Sequence, residues 1–411
     1  MNRYDLDGIV KEAKRRGYFA VEDYPGLKLS LDEFQDLGRK LGKLPHKKPD
    51  DRIERARSLR AVNALRTGTV AAEGVTAYSV GRVKLLERFR NDLNEVANKR
   101  SLVRFLNADL GQGKTHALNL LREFAFEMDF PVSLVSLSQH GCPLHDFGLV
   151  YNKVVWCITT REERQRPALE NIFHRWLDMA RNRGEELAAE LVRRIRGNDN
   201  ALREDVVSAL SAYCTASSIV SPDKARQQQV LEWFSASRAY VSELRKLGIR
   251  GQILDDNAVE MLSILAELFR NLGYKGMCIL FDEAEAIHSF SNYSQRDKAY
   301  TNLLKLTEAA GQFPHCYFLY ATTPSFFDAY AHYWPFERRI NAKHIYELER
   351  LSIPELKVLA QKIVDIYCAA YAWTRSADIG SSLGRLADAG SDSRIGDFVR
   401  GCISFLDEKR G

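Results

Sequence analysis

An α/β fold with a parallel sheet and helical crossovers is the class this sequence predicts, and three observations predict it. From residue 100 onward, short apolar runs alternate with amphipathic stretches of helical period. Four of these runs, Leu102 to Leu106, Val132 to Leu137, Met277 to Phe281 and Tyr317 to Ala321, have the length and composition of strands buried on both faces. The first run leads through a glycine-containing loop directly into a helix that carries Leu118, Leu121 and Phe124.

Ahead of this core, the first fifty residues read as a small helical module. Ile9, Val10 and Ala13 share one side of a helix that Gly17 ends, and Phe34, Leu37, Leu41 and Leu44 recur at helical spacing before Pro45. The segment from Pro45 to Arg60 carries Lys47, Lys48, Arg52, Arg55, Arg57 and Arg60 with few apolar residues. It reads as a linker or an exposed basic helix, and a solvated connection and a nucleic-acid contact are both open.

Between the second and third runs lie about 140 residues with almost no strand signal, far more than one crossover needs. A helical insertion at about 160–250 is predicted. Ile172, Trp176 and Met179 mark one apolar stripe in it and Leu187, Leu191 and Ile195 another. Arg175, Arg181, Arg183, Arg193, Arg194 and Arg196 line the polar sides, as on a solvated face. A helix from Ala258 to Leu272, started by Asp256 or Asn257, returns the chain through Gly273 to the third run. The tail is helical again, and Ser352-Ile353-Pro354-Glu355 is a capping box ahead of Leu356, Leu359, Ile363 and Ile366. The expected organisation is a module at 1–50, an α/β core at 51–345 and a helical unit at 346–411.

Composition excludes several classes. Hydrophobic residues make up 45% and charged residues 27%, the balance of a folded domain rather than a disordered or fibrous chain. No stretch approaches the roughly 18 to 20 apolar residues of a membrane helix, and Met1 to Gly17 is charged where a signal peptide needs an apolar core, so a cytoplasmic protein is expected. Seven scattered cysteines without a C-x-x-C pair read as reduced core thiols. The net charge of +5 is too mild to establish nucleic-acid binding, though it accommodates a local basic face.

The chemistry concentrates in Ala108-Asp109-Leu110-Gly111-Gln112-Gly113-Lys114-Thr115, a Walker A loop in the strand–loop–helix context that such a loop requires. Gly111 and Gly113 let backbone N–H groups converge on phosphate oxygens around Gln112, and the helix start, with His116 in its first turn, adds a positive dipole. Lys114 bridges the outer phosphates, and the Thr115 hydroxyl ligates magnesium. Ala108 replaces the first glycine of the usual pattern. A second element must supply the metal carboxylate and a group that polarises water, and Cys278-Ile279-Leu280-Phe281-Asp282-Glu283 has that form. Asp282 is the expected Mg2+ ligand and Glu283 the base, while Glu285 reads as a solvent-facing or helix-start carboxylate.

Thr322 and Thr323, at the end of the fourth run, are placed as sensors of the γ-phosphate, although strand capping explains either one taken singly. Arg338 and Arg339 sit at a distance suited to an arginine finger from a neighbouring subunit, and Arg394 suits a sensor carried by the helical tail. Each of these competes with an ordinary surface arginine. His140, Cys142 and His145 are close in sequence but lack further ligands at a matching spacing and read as a loop, and Asp255-Asp256 reads as helix-start chemistry.

These motifs together resemble AAA+ P-loop ATPases of the origin-recognition or archaeal-ATPase kind. More specifically, Ala61 to Gly68, Pro143-Leu144-His145-Asp146, Gly273-Tyr274-Lys275-Gly276, Phe281 to Glu285 and Ala321 to Phe327 resemble the ATP-binding proteins of BREX phage-defence loci, the BrxD-like family, over about residues 55 to 405. The resemblance implies an AAA+ core with a C-terminal helical lid, ATP and Mg2+ as cofactors, and Val80, Gly81 and Arg82 near the adenine or at the domain's entry. The first module, with Gly17-Tyr18-Phe19 between its helices, resembles winged-helix or sigma-factor leader domains. The expected function is ATP hydrolysis coupled to homo-oligomer assembly on double-stranded DNA, without sequence preference, or on a DNA-bound defence partner such as a helicase or nuclease. The alternative is a nucleotide-gated scaffold with little turnover. Asp282 to Glu285 also resembles a helicase box, but no second RecA-like domain follows it.

Overall fold

A computed structural model describes residues 51–410, apart from 72, 99, 165–167, 184–199, 218–221, 238–239, 310–312, 328–341, 375–378 and 390–393. The predicted 1–50 module, the stripe Leu187, Leu191 and Ile195, and the arginines Arg338 and Arg339 lie outside the described residues.

The described chain begins with α1 (Asp51–Thr67) and continues through α2 (Val83–Ala97), β1 (Leu102–Asn107), α3 (Lys114–Glu127), β2 (Val132–Ser136), α4 (Phe147–Trp156) and β3 (Ile158–Thr159). Four helices follow, α5 (Leu169–Arg183), α6 (Ala201–Ala216), α7 (Lys224–Phe234) and α8 (Val241–Lys246), and then α9 (Ala258–Asn271) leads into β4 (Met277–Asp282). Helix α10 (Tyr293–Ala309), β5 (Cys316–Thr322) and β6 (Ile345–Glu347) complete the sheet. The tail is α11 (Ile353–Tyr371), α12 (Ile379–Ala389) and α13 (Ile395–Arg410).

The sheet has six strands in the order β3-β2-β4-β5-β1-β6, and every pairing is parallel except that of β3 with β2. All four predicted strands are present. The two that the sequence reading missed, β3 and β6, are two and three residues long, too short for periodicity to register. β3 falls inside the long stretch with almost no strand signal, just ahead of the predicted helical insertion, and it is held on the sheet edge by the Thr159 hydroxyl donating to Val132 O.

Period-2 alternation sorts the strand side chains onto two cores. Ile279 and Phe281 of β4 join one cluster while Cys278 and Leu280 join the other. Helices α2 and α3 cover the second face. On the first face α4 to α9 form one continuous core, with Trp176, Tyr213, Trp233 and Phe269 all buried beside the sheet residues. The insertion is therefore packed into the α/β core, and Arg175 stacks over the Tyr274 ring at 5.3 Å. Asp255 does perform helix-start chemistry, but for a different helix from the one predicted: it accepts from Gly148 N in the first turn of α4 at 2.7 Å and pairs with Lys298 at 2.8 Å.

A third core joins α1 to the tail. The outer half of α1 keeps Arg52, Arg55, Arg57 and Arg60 exposed, so the basic segment is helical from Asp51. Its inner half buries Ala61, Val62 and Leu65 against Leu359, Ile363, Cys402 and Ile403 of α11 and α13. Arg66 fastens the contact, pairing with Asp407 at 2.8 Å and donating to the Tyr371 hydroxyl. The predicted capping box at Ser352 and Glu355 is formed, with Ser352 N donating to Glu355 Oε2 at 2.8 Å. All seven cysteines are free thiols. Among the described residues, no helix is long and apolar enough to cross a membrane.

Candidate functional site

Parallel strands with covered faces leave their carboxyl ends as the place where backbone and side chains converge on a crevice. Here the register aligns Ser136 with Asp282 and Asn107 with Thr322, so the ends of β2, β4, β5 and β1 form one rim. The loop from Ala108 to Gly113 leaves β1 at that rim and turns into α3. Gly111 and Gly113 have φ of 80° and 90°, the left-handed conformation that favours glycine. Ala108 is not in that region, so a Cβ there carries no backbone strain, and the departure from the usual glycine is accommodated.

The loop closes one end of a cavity of about 240 Å³. At its polar end are Gly111, Gln112, Gly113, Lys114, Thr115 and His116, facing Asp282, Glu283 and Glu285 from the end of β4. Its other end is apolar, walled by Val70, Tyr78, Val80, Leu351, Leu359 and Val399. The helix that was grouped with the core by sequence thus helps, through the turn that follows it, to build this wall together with the tail. A polar end rich in backbone donors beside an apolar slot matches a ligand with a phosphate chain and a flat ring.

Lys114 is buried, and its Nζ donates to Ala108 O at 2.9 Å and lies 3.7 Å from Glu285 Oε1. The Thr115 hydroxyl donates to Asp282 Oδ2 at 2.6 Å across 167 residues of sequence. Burial pushes the Asp282 carboxyl above its usual range, opposed by Thr115 and by the Glu283 N–H. A hydroxyl and a carboxylate, both hard oxygen donors, converging on one point fit a magnesium ion. Glu283 sits in the left-handed region, with φ of 59°, a conformation rare for a residue with a side chain. That turn carries its carboxylate toward β2, where Ser136 Oγ donates to Oε2 at 2.7 Å.

The remaining expected residues fall at different distances from the pocket. Arg394, at the head of α13, lies against the loop: a Cβ added to Gly111 would fall 2.9 Å from Arg394 Cδ, and Gly396 N donates to Gly111 O. His116 bonds the Ser79 hydroxyl at 2.8 Å, and burial with nearby Arg82 lowers its pKa to about 4. Val80 lines the cavity. Gly81 does not, and instead packs under Leu351 and Glu355, where a Cβ would fall within 2.7 Å of both. Arg82 is buried and ties the entry segment to Glu349 O at 2.8 Å. Thr322 is fully buried with its hydroxyl unsatisfied, and the Thr323 hydroxyl bonds Ser325 at 3.0 Å. Neither lines the cavity.

Three neighbours of the site escaped the sequence reading. Ser136 has no motif of its own, and only the β2–β4 register brings it to Glu283. Glu285 does open a 3-10 turn, Ala284–Ser289, as a helix-start carboxylate would, yet it faces Lys114 rather than solvent. Arg350, between β6 and α11, reaches Asp109 Oδ2 at 3.2 Å and lies beside the Gln112 amide. The Cys142 thiol is buried in the core on the first face of the sheet, and His145 stacks edge-on to Phe290 of the same core at 4.9 Å.

Comparison with known proteins adds a family to this geometry. No curated protein and no solved structure matches the chain. One family model, described as BREX system ATP-binding protein BrxC/D, matches residues 53–383 and so covers the glycine loop, the end of β4 and the tail as far as the start of α12. The chain therefore belongs to the BrxC/D family of BREX system ATP-binding proteins.

Proposed function

We propose that the protein is an AAA+ ATPase that binds Mg2+ and ATP in this cavity and hydrolyses the terminal phosphoanhydride. The observation that carries this reading is the bond between Thr115 and Asp282, with Glu283 next in the chain, because a hydroxyl and a carboxylate so arranged at the end of the glycine loop suit metal binding beside a base. Lys114 and the loop N–H groups would hold the outer phosphates. Thr115 and Asp282 would hold the magnesium ion, which neutralises charge on the phosphates when bound. Glu283 accepts a proton from the attacking water as the new P–O bond forms, and the bond to the bridging oxygen breaks with its electron pair leaving on ADP.

Arg394 has the position of a sensor carried by the tail, touching the loop through Gly111. Thr322 and Thr323 stand at the end of the strand beside β1 as candidate γ-phosphate sensors. Arg338 and Arg339 are proposed as fingers for a neighbour's site, which requires a head-to-tail homo-oligomer. The exposed arginines Arg52, Arg55, Arg57 and Arg60 of α1 support contact with duplex DNA through phosphates rather than bases, although Arg55 also donates to Ala370 O and Arg60 pairs with Glu73. Family membership supports cytoplasmic partners in defence, such as a helicase or nuclease.

A second reading, a nucleotide-gated scaffold with little turnover, is favoured by one observation: the Glu283 carboxylate is engaged by Ser136. Steady-state ATP hydrolysis with and without double-stranded DNA, measured beside Glu283→Gln and Lys114→Ala, tests both. DNA-stimulated turnover that Glu283→Gln loses while still binding ATP supports the ATPase. Measurable binding without turnover in every condition supports the scaffold. Tight ATP binding by Lys114→Ala overturns the site itself.

A further inference from the structure

Lys114 is the cation on which the phosphate reading depends, and its ammonium already has an anionic neighbour. Glu285 Oε1 lies 3.7 Å from Nζ, and the Glu285 side chain is only 22% exposed. Its other oxygen, Oε2, is closed off from solvent with no other residue's donor within reach. The carboxylate lines the same cavity as Lys114, Asp282 and Glu283, so three acidic residues gather at this end of the cavity, and Glu285 is the one within ion-pair distance of the buried ammonium. Glu283 is turned toward Ser136 and Asp282 toward Thr115, whereas Glu285 has the Lys114 ammonium.

A buried carboxylate without its cation is strongly disfavoured, so Glu285 holds Lys114 and is held by it. An outer phosphate bound at the loop needs the same ammonium and brings like charge next to the same carboxylate. The inner phosphates of a nucleotide are satisfied chiefly by loop N–H groups. A triphosphate brings one more phosphate within reach of the lysine than a diphosphate does, and so more negative charge beside Glu285.

We infer that Glu285 is an internal competitor for Lys114, a positioning residue that the outermost phosphate of a nucleoside triphosphate displaces and that thereby sets the discrimination between triphosphate and diphosphate. The inference rests on the nucleotide reading above and adds to it a determinant of which nucleotide state the loop retains. With Glu285 in place, part of the attraction between Lys114 and the outer phosphate is offset, and the diphosphate is retained more tightly relative to the triphosphate.

The experiment is calorimetric titration of the full chain with Mg·ADP and with a magnesium complex of a slowly hydrolysed ATP analogue, for wild type, Glu285→Gln, Glu285→Ala and Glu285→Asp. Thermal unfolding of each variant confirms a folded chain. Neutralisation is expected to tighten triphosphate binding about tenfold, about 1.4 kcal/mol, while diphosphate binding changes by less than threefold. Glu285→Asp, which keeps the charge, is expected to return the ratio of the two affinities to within about threefold of wild type. A structural role alone would weaken both ligands together and would not be rescued by charge.

Triphosphate binding that is unchanged or weaker in both neutral variants overturns the inference, as does equal tightening of both ligands. Wild-type protein that binds neither ligand overturns the nucleotide reading itself. Wild-type binding with an unaltered ratio in the variants overturns only the role of Glu285.

Discussion

The hydroxyl of Thr115, at the start of α3, donates to the carboxylate of Asp282, at the end of β4, at 2.6 Å. The two strands concerned, β1 and β4, are not neighbours, since β5 lies between them. The bond therefore depends on the whole parallel register and on the loop rising over the sheet edge. If the pair is a magnesium site, Asp282→Asn should remove the metal dependence of nucleotide binding. Titration of ATP with and without Mg2+ should show a tighter complex with metal in wild type and about equal affinities in the variant. A variant that keeps the wild-type metal dependence would exclude Asp282 as a ligand.

Ser136 and Glu283 make a second testable pair. Removing the Ser136 hydroxyl leaves the Glu283 carboxylate without that donor and free to swing back over the cavity. Ser136→Ala should raise the steady-state hydrolysis rate severalfold while nucleotide affinity stays within about twofold, since Ser136 does not line the pocket. A fall in rate would mean that the hydroxyl orients the glutamate for attack instead of restraining it.

At Gly111 two constraints coincide, a left-handed φ of 80° and the side chain of Arg394 where a Cβ would go. Gly111→Ala should cost about 1–3 kcal/mol from the backbone conformation and also push the tail away from the loop. Chemical denaturation should register the first effect, and a loss of nucleotide affinity beyond it should register the second. A variant as stable as wild type would place the tail's contact elsewhere.

The junction between α1 and the tail carries a pH signature. The Arg66 guanidinium, with the Tyr367 hydroxyl, holds the Asp407 carboxyl below its ordinary value of about 3.9. A carboxylate with a depressed folded pKa binds protons more readily in the unfolded chain. Its contribution is therefore complete above pH about 4 and is lost as the pH falls through the folded value. Both side chains are about one-third exposed, so solvent screening keeps the effect small. Asp407→Asn should lower the melting temperature at pH 7 by a degree or two, on the order of 0.5 kcal/mol, and the difference should shrink at pH 3. An equal difference at both values would remove the ionic contribution.

Much of the site was legible because its chemistry lies in contiguous segments. Gly111, Gly113, Lys114 and Thr115 follow one strand, and Asp282 and Glu283 end another, so local pattern alone located the loop and the carboxylates. The four long strands were legible for the same reason. β3 and β6 were not, because two or three residues carry no period, and what makes them strands is pairing with β2 and β1. Ser136, Glu285 and Arg350 were hidden because a lone serine, glutamate or arginine acquires a role only from what another element brings beside it. Gly81, which the resemblance puts near the adenine or at the domain's entry, allows the close approach of Leu351 and Glu355, a contact that no local pattern shows.

By itself, the amino-acid sequence determined the α/β class, the glycine loop, the metal-ligand candidates and the family resemblance, since each is built from short contiguous segments whose pattern can be read locally. Only the tertiary structure decided that α1 packs with the tail, that the apolar end of the cavity is built from both, and that Glu283 turns to Ser136 while Glu285 faces Lys114. The physical reason is common to all three. Periodicity and motif encode which face of an element is buried, whereas the partner it is buried against follows from sheet register and helix packing over separations of a hundred residues or more.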